Sequence, residues 1–168
     1  MALSMYELSV PVFERALKNL SHVLKKGTAH AEAAKIDPGV LIGARLYPNM
    51  FPLAKQVQIA TDLAARGASR LAGREPPSFP DTEQSFSELQ TRIEKARACL
   101  QAIEPAHMED AENRSVEFKA GGEMHTLSAP DYLMAFVLPN LYFHVTTAYA
   151  ILRHNGVGLG KSDYLGTD

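Results

Sequence analysis

Residues 138–166 read LPNLYFHVTTAYAILRHNGVGLGKSDYLG, and this stretch is the most informative part of the chain. Apolar side chains recur at helical spacing as far as His154, and an Asn-Gly pair typical of a helix end follows. Pro139 lies inside the pattern and predicts a bend, because its ring removes one backbone donor and crowds the preceding turn. Asn140 and His144 are one helical turn apart, so they project from the same face of the predicted helix. We expect the functional site on that face.

A β-hairpin is predicted directly upstream of this helix. Within residues 115–128, the segments SVEFKA and MHTL flank Gly121-Gly122-Glu123, and the apolar spacing is no longer helical. Ser128 and Asp131 then form a helix-capping pattern, in which Pro130 is tolerated in the first turn. The short hairpin therefore lies between the third and fourth long helices.

Three more long helices are predicted before the hairpin. Apolar residues at helical spacing place them over about residues 3–26, 46–71 and 81–103. Gly27 is the expected stop of the first helix, and Asp81 with Gln84 is the expected capping box of the third. Four long helices with short and medium connections predict an all-α four-helix bundle, which forms a single domain over residues 1–168.

Composition and charge exclude several classes of function. A net charge of −2, from 17 basic and 19 acidic residues, gives no electrostatic footprint for nucleic acid or an anionic membrane. The N-terminus lacks the basic start and apolar block of a secretory signal, and no apolar run approaches the roughly 18 residues of a membrane span. Cys99 is the single cysteine, which excludes an internal disulfide and a cysteine zinc cluster. We expect a soluble cytoplasmic protein.

A phosphate-binding loop is suggested by Gly160-Lys161-Ser162 but does not fit the sequence. Such a loop requires a glycine five residues before its second glycine, where this chain has Asn155. It also joins a strand to a helix, whereas this segment follows a helix. We do not expect nucleotide binding.

His144 is the candidate catalytic residue. A lone histidine among apolar neighbours is more often a hydrogen-bonded core residue than a ligand or a base. Together with Asn140 it could hold a water molecule or a polar ligand, yet the pair supplies only one good metal ligand. Any metal site would need further residues from other helices.

Two stretches resemble a known family: RLYPNMFPLAKQVQIATD at residues 45–62 and the segment at residues 138–166. Both resemble a bacterial family of unknown function within the DinB/YfiT-like superfamily, whose members are regarded as metalloenzymes. The resemblance implies an up-down-down-up four-helix bundle. In many superfamily members three histidines from the second and fourth helices hold a divalent metal, and some members are thiol-dependent transferases.

The resemblance also assigns residues to the metal position. Leu152-Arg153 and Gly156 are similar to the LR-x-x-G ending of the superfamily, which places His144 on the second histidine of an HxxxH pair and Asn140 on the first. Gln56 then replaces the remaining histidine, with Asn49 as the alternative. Carboxamides are poor ligands for zinc or nickel. We therefore expect no metal or other cofactor, with His144 as the ligand if zinc or nickel does bind.

Three functions remain open from the sequence. The first is a bundle that binds a small polar ligand in a pocket lined by Gln56, Asn140, His144 and Asn49, a degenerate metal site. The second is a DinB-like metal-dependent transferase or hydrolase that uses His144 as metal ligand or general base. The third is a structural homodimer without catalysis, formed through apolar helix faces.

Overall fold

A computed structural model gives the structure, which describes residues 3–167. The chain is mostly helical and carries one small antiparallel sheet. The helices are α1 Met5–Ala34, α2 Pro38–Ile42, α3 Leu53–Leu71, α4 Phe86–Gln101, α5 Ala129–His154 and α6 Lys161–Leu165. The strands are β1 Ser115–Ala120 and β2 Glu123–Ser128, and two short 3-10 turns, Pro105–Met108 and Ala111–Asn113, precede them. The predicted helices and hairpin are thus present, with some different boundaries.

The first helix does not stop at Gly27, as the sequence had indicated. It continues to Ala34 and ends at Lys35, which has the left-handed conformation common after helices, with φ 55°. A Cβ atom on Gly27 would lie 3.2 Å from a Leu152 methyl carbon and 3.3 Å from the Phe86 ring. Gly27 therefore serves close packing of α1 on α4 and α5 rather than helix termination.

The second long helix begins at Leu53, seven residues later than expected from position 46. Pro52 occupies its N-cap with extended backbone. Residues before a proline disfavour helical backbone, so the two prolines of this region keep the preceding chain out of the helix. Asn49 consequently lies in an exposed turn between α2 and α3, outside the helix on which the sequence had placed it.

The third long helix begins at Phe86, and its capping box is formed by Ser85 and Glu88. The Ser85 hydroxyl accepts from the Glu88 backbone N–H at 3.2 Å, and the Glu88 carboxylate accepts from the Ser85 N–H at 3.1 Å. The expected cap at Asp81 and Gln84 was wrong. Asp81 instead forms ion pairs with two basic side chains of α3 and α4.

The hairpin is confirmed at the predicted position. Ser115 pairs with Ser128 and Ala120 with Glu123, and the two-residue turn Gly121-Gly122 has positive φ at both positions. Phe118 is buried under the hairpin. Its ring lies 4.8 Å from the Tyr132 ring and 4.5 Å from the Phe136 ring, so one sheet face packs on α5.

The last long helix contains a π-helical segment, Tyr132–Val137, before the α-helical part that carries the candidate site. Ser128 caps it by accepting from the Asp131 N–H at 3.2 Å, and it ends at His154 as predicted. This helix is long enough, and with a mean hydropathy of 1.3 apolar enough, to span a membrane. It contains no uninterrupted apolar run of about 18 residues. A core helix of a soluble protein meets the same two criteria, and one face of α5 is buried in the bundle.

The core is one apolar cluster shared by the four long helices and the hairpin. Its fully buried members include Phe13, Leu20, Leu53, Leu89, Leu100, Leu133, Leu141 and Ile151. This cluster fixes α3 against α5, and these two helices carry the candidate site.

Candidate functional site

The candidate site is centred on a hydrogen bond between α5 and α3. His144 Nδ1 lies 2.7 Å from the side-chain oxygen Oε1 of Gln56. Gln56 is only 1% exposed, and its Nε2 donates to the backbone carbonyl of Phe51 at 3.0 Å. The structure thus brings two of the sequence-predicted residues into direct contact.

This arrangement fixes the tautomer of His144. The Phe51 carbonyl can only accept, so the amide nitrogen of Gln56 faces it and the amide oxygen faces the imidazole. That oxygen can only accept as well. The hydrogen of a neutral His144 therefore resides on Nδ1, and Nε2 carries a lone pair.

His144 is held neutral and has one free nitrogen. Burial lowers the pKa of His144 below the usual histidine value, so the imidazole is uncharged near neutral pH. Among residues 3–167, Nε2 has no hydrogen-bond partner. Nε2 is not one of the buried polar atoms that lack a hydrogen-bond partner, so it is accessible at the surface. Nε2 can accept a hydrogen bond or a proton from a bound molecule.

An exposed aromatic side chain, that of Phe143, adjoins His144. The Phe143 ring contacts the His144 ring edge-on, with centroids 5.2 Å apart. Phe143 is 56% exposed, and Phe51, whose carbonyl orients Gln56, is 53% exposed. A ligand here would meet one hydrogen-bond acceptor beside apolar surface.

The other two predicted residues do not join this contact. The Asn140 side-chain N–H donates to the Phe136 carbonyl at 2.6 Å, one turn earlier in the same helix. Asn140 thereby stabilises the junction between the π-helical and α-helical parts of α5. Asn49 is exposed in the turn before α3.

A deep pocket at this position stays a prediction. Five surface cavities, of about 210 Å³ to about 520 Å³, are lined by other residues. The largest lies between the hairpin and Phe136 of α5, and two others flank the C-terminal segment.

The donor set at His144 does not fit a zinc or nickel ion. Both polar groups of Gln56 are already engaged, by His144 and by Phe51. Within residues 3–167, no group of three His, Cys, Asp or Glu side chains is close enough to hold a metal. One imidazole is too few for a tetrahedral site.

Comparison with known proteins identifies the family. A domain of unknown function, DUF1993, matches residues 5–165. The chain belongs to the DUF1993 family. The crystal structure, at 1.83 Å resolution, of a DinB family member protein from Shewanella denitrificans is similar to it, with 40% sequence identity and a TM-score of 0.87. That match covers 96% of this chain and 91% of that chain, which agrees with a DUF1993 protein in the DinB-like superfamily. No protein of curated function matches.

The C-terminal segment of the DUF1993 protein folds back on α1, where a buried carboxylate holds it. Asp163 Oδ1 accepts from Lys26 at 2.7 Å and lies 2.8 Å from His22 Nε2, while Oδ2 accepts from the Gly160 N–H at 2.7 Å. These three hydrogen bonds hold the pKa of Asp163 well below its usual value. The bond from Lys26 has the largest effect, and those with Gly160 and His22 have smaller ones. The start of α6 is thus occupied by a carboxylate of the chain itself.

Arg92 on α4 is a buried cation that was not predicted from the sequence. The residue is 2% exposed and forms ion pairs with Asp62, Asp81 and Glu83. A signal was present, because Arg92 lies on the same helical stripe as Leu89 and the other apolar residues of α4. A charged residue inside an apolar stripe indicates a buried partner.

Proposed function

We propose that this protein binds an uncharged small molecule through His144, at a polar site between α3 and α5, without a metal or other cofactor. The observation that carries the proposal is the 2.7 Å contact between His144 Nδ1 and Gln56 Oε1, with Gln56 oriented by Phe51. A fixed tautomer presents Nε2 as an acceptor in every molecule. Preorganisation of this kind lowers the entropic cost of binding.

The chemistry of the site favours a neutral ligand with a hydroxyl, amide or similar donor. A neutral imidazole nitrogen accepts one hydrogen bond and does not attract an anion. The exposed ring of Phe143 beside His144 suits an apolar body attached to that donor. We also propose that the protein is soluble and cytoplasmic, since its net charge of −2 and its bundle fold suit that environment.

We further propose the up-down-down-up helix order of the DinB bundle. Contacts between α1 and α4 pair Ser21 with Gln90 and Glu14 with Arg97, which suits antiparallel helices. Lys55 at the start of α3 pairs with Asp81 just before α4, which suits parallel α3 and α4. Gln56 and Gly67 of α3 meet His144 and Val137 of α5 in reverse order.

The test uses phenol, a neutral hydroxyl donor on an apolar ring, as the probe. Phenol is titrated into ¹⁵N-labelled protein, and the His144 Nε2 resonance is followed by long-range ¹H–¹⁵N correlation. We expect a saturable shift of that resonance and no saturable shift at His154, which serves as the internal control. His144→Gln should abolish saturation in the neighbouring amides. Unsaturable, uniform changes in both histidines would overturn the proposal.

One observation favours a second candidate, a DinB-like transferase or hydrolase. Metal-binding and basic histidines usually donate their second ring N–H to a fixed acceptor, as His144 does to Gln56. Metal analysis of protein purified without chelator separates the two. Stoichiometric zinc or nickel that disappears in His144→Ala would favour the enzyme and contradict the metal-free site.

A further inference from the structure

The hairpin has an open edge along β1. The Ala129 N–H donates to the Arg114 carbonyl at 2.9 Å, so this residue pair is hydrogen-bonded and sets the phase of the ladder. Every second pair toward the turn is then hydrogen-bonded as well: Val116 with Leu127, Phe118 with His125, and Ala120 with Glu123. The backbone groups of Glu117 and Lys119 point away from β2. Within residues 3–167, they have no backbone partner outside the hairpin.

The side chains on this edge alternate between buried and charged. Val116 and Phe118 are each 4% exposed and pack toward the bundle. Glu117 and Lys119 are exposed on the opposite face. In the described part of the chain, neither charge forms a salt bridge or a side-chain hydrogen bond. The open edge thus displays an unpaired anion and an unpaired cation two residues apart.

We propose that β1 is the docking edge for a second copy of this chain, which adds its own β1 antiparallel about a two-fold axis at Phe118. In this register Glu117 stands directly opposite Lys119 of the partner subunit, and Lys119 opposite Glu117 of the partner subunit. The symmetry makes both contacts equivalent. Opposite charges directly across an antiparallel pair are stabilising, and like charges are destabilising.

A second copy suits this edge better than an arbitrary strand does. Lysine on an edge strand deters unspecific strand addition. A partner with the complementary charge order removes that penalty, and this chain supplies that order itself. The open edge of β2 offers no such charge complementarity. The residues whose backbone groups point away from β1 there, Met124 and Thr126, have uncharged side chains. The resulting dimer has a continuous four-stranded sheet with one bundle beside the other.

The test is sedimentation velocity of the full chain from low micromolar to near-millimolar concentration. We expect a concentration-dependent dimer for the natural sequence. Glu117→Lys and Lys119→Glu each place like charges opposite one another twice, and each should weaken dimerisation about tenfold or more. The double variant Glu117→Lys/Lys119→Glu restores opposite charges and should dimerise like the natural chain.

A pair of proline variants separates the two hairpin edges. Glu117 and Thr126 are cross-strand partners whose N–H groups point to opposite edges, so Glu117→Pro and Thr126→Pro remove one outward donor each. Far-UV circular dichroism checks that both fold. Loss of the dimer only in Glu117→Pro supports the proposal. A monomer at every concentration, a dimer that survives Glu117→Lys, or loss only in Thr126→Pro would overturn it.

Discussion

Arg92 and His144 are both polar residues on core-facing helices, and they differ in how completely they are bonded. The Arg92 Nε donates to the Thr61 hydroxyl at 2.8 Å, and its terminal nitrogens reach three carboxylates and two backbone carbonyls. Within residues 3–167, His144 uses one of its two ring nitrogens. The donors of Arg92 are all engaged within the protein, whereas the Nε2 atom of His144 can still accept a hydrogen bond from a ligand.

The difference has a physical cause. A buried guanidinium is stable only when its donors are paired, because desolvation of an unpaired charge costs several kcal/mol. A neutral imidazole at the edge of the core can leave one acceptor facing solvent at little cost. Arg92 is therefore assigned to the fold, and it joins the segment before α4 to α3 through Asp81 and Asp62. His144 is assigned to the site.

The largest effect is expected from Arg92→Met. The variant strands Asp62 and Glu83 beside an apolar side chain, and we expect a loss of about 3 to 5 kcal/mol in the free energy of unfolding. Urea denaturation followed by circular dichroism measures it. The matched control is Arg97→Met on the same helix, whose partly exposed pairs with Glu14 and Glu94 should contribute about 1 kcal/mol or less. Equal losses in the two variants would remove the distinction between a buried and a surface cation.

A smaller effect is expected from Asp163→Asn, which tests a carboxylate that pairs with Lys26 and contacts His22. The variant loses the ion pair with Lys26, and we expect a loss of about 1 kcal/mol. Because the folded-state pKa of Asp163 is lowered, its contribution is full above the unfolded-state pKa of about 4 and declines as pH falls from there through the folded-state pKa. The difference in unfolding free energy between the two proteins should therefore be smaller at pH 3 than at pH 7. Parallel curves would show that this carboxylate is not the titrating group.

Gln56→Met should change the tautomer of His144 more than it changes stability. The substitution nearly conserves volume but removes the acceptor for Nδ1, so the fixed Nδ1–H form should give way to a mixture. Long-range ¹H–¹⁵N correlation spectra distinguish the two tautomers directly. An Nδ1–H form that persists unchanged in the variant would mean that another group orients the ring.

The smallest effect concerns the titration of His144. Burial lowers the folded-state pKa, so the NMR titration midpoint of His144 should lie below the usual value of about 6.5. The unfolded chain then binds the proton more readily, and stability falls as pH drops from neutral through the folded-state pKa. His144→Gln should lack that part of the pH dependence. A midpoint at or above the usual value would indicate a site that is wetter than its burial implies.

Much of the fold follows from short-range rules that the sequence displays. The hairpin at residues 115–128 and the end of α5 at His154 were predicted correctly, because turn glycines and capping side chains act within a few residues. Boundaries that depend on packing were predicted less well. Gly27, for example, was predicted to end the first helix, but its lack of a side chain instead allows α4 and α5 to pack closely against α1.

The candidate site divides in the same way. Four long helices, the hairpin and the position of His144 on the last helix can be predicted from the chain alone, since helical spacing and turn chemistry are local. Three features become visible only in the folded protein: Gln56 orients the imidazole, Asn140 bonds its own helix, and Arg92 is buried among carboxylates. Whether a polar group is satisfied or free depends on partners far away in the chain, and no local pattern encodes those distances.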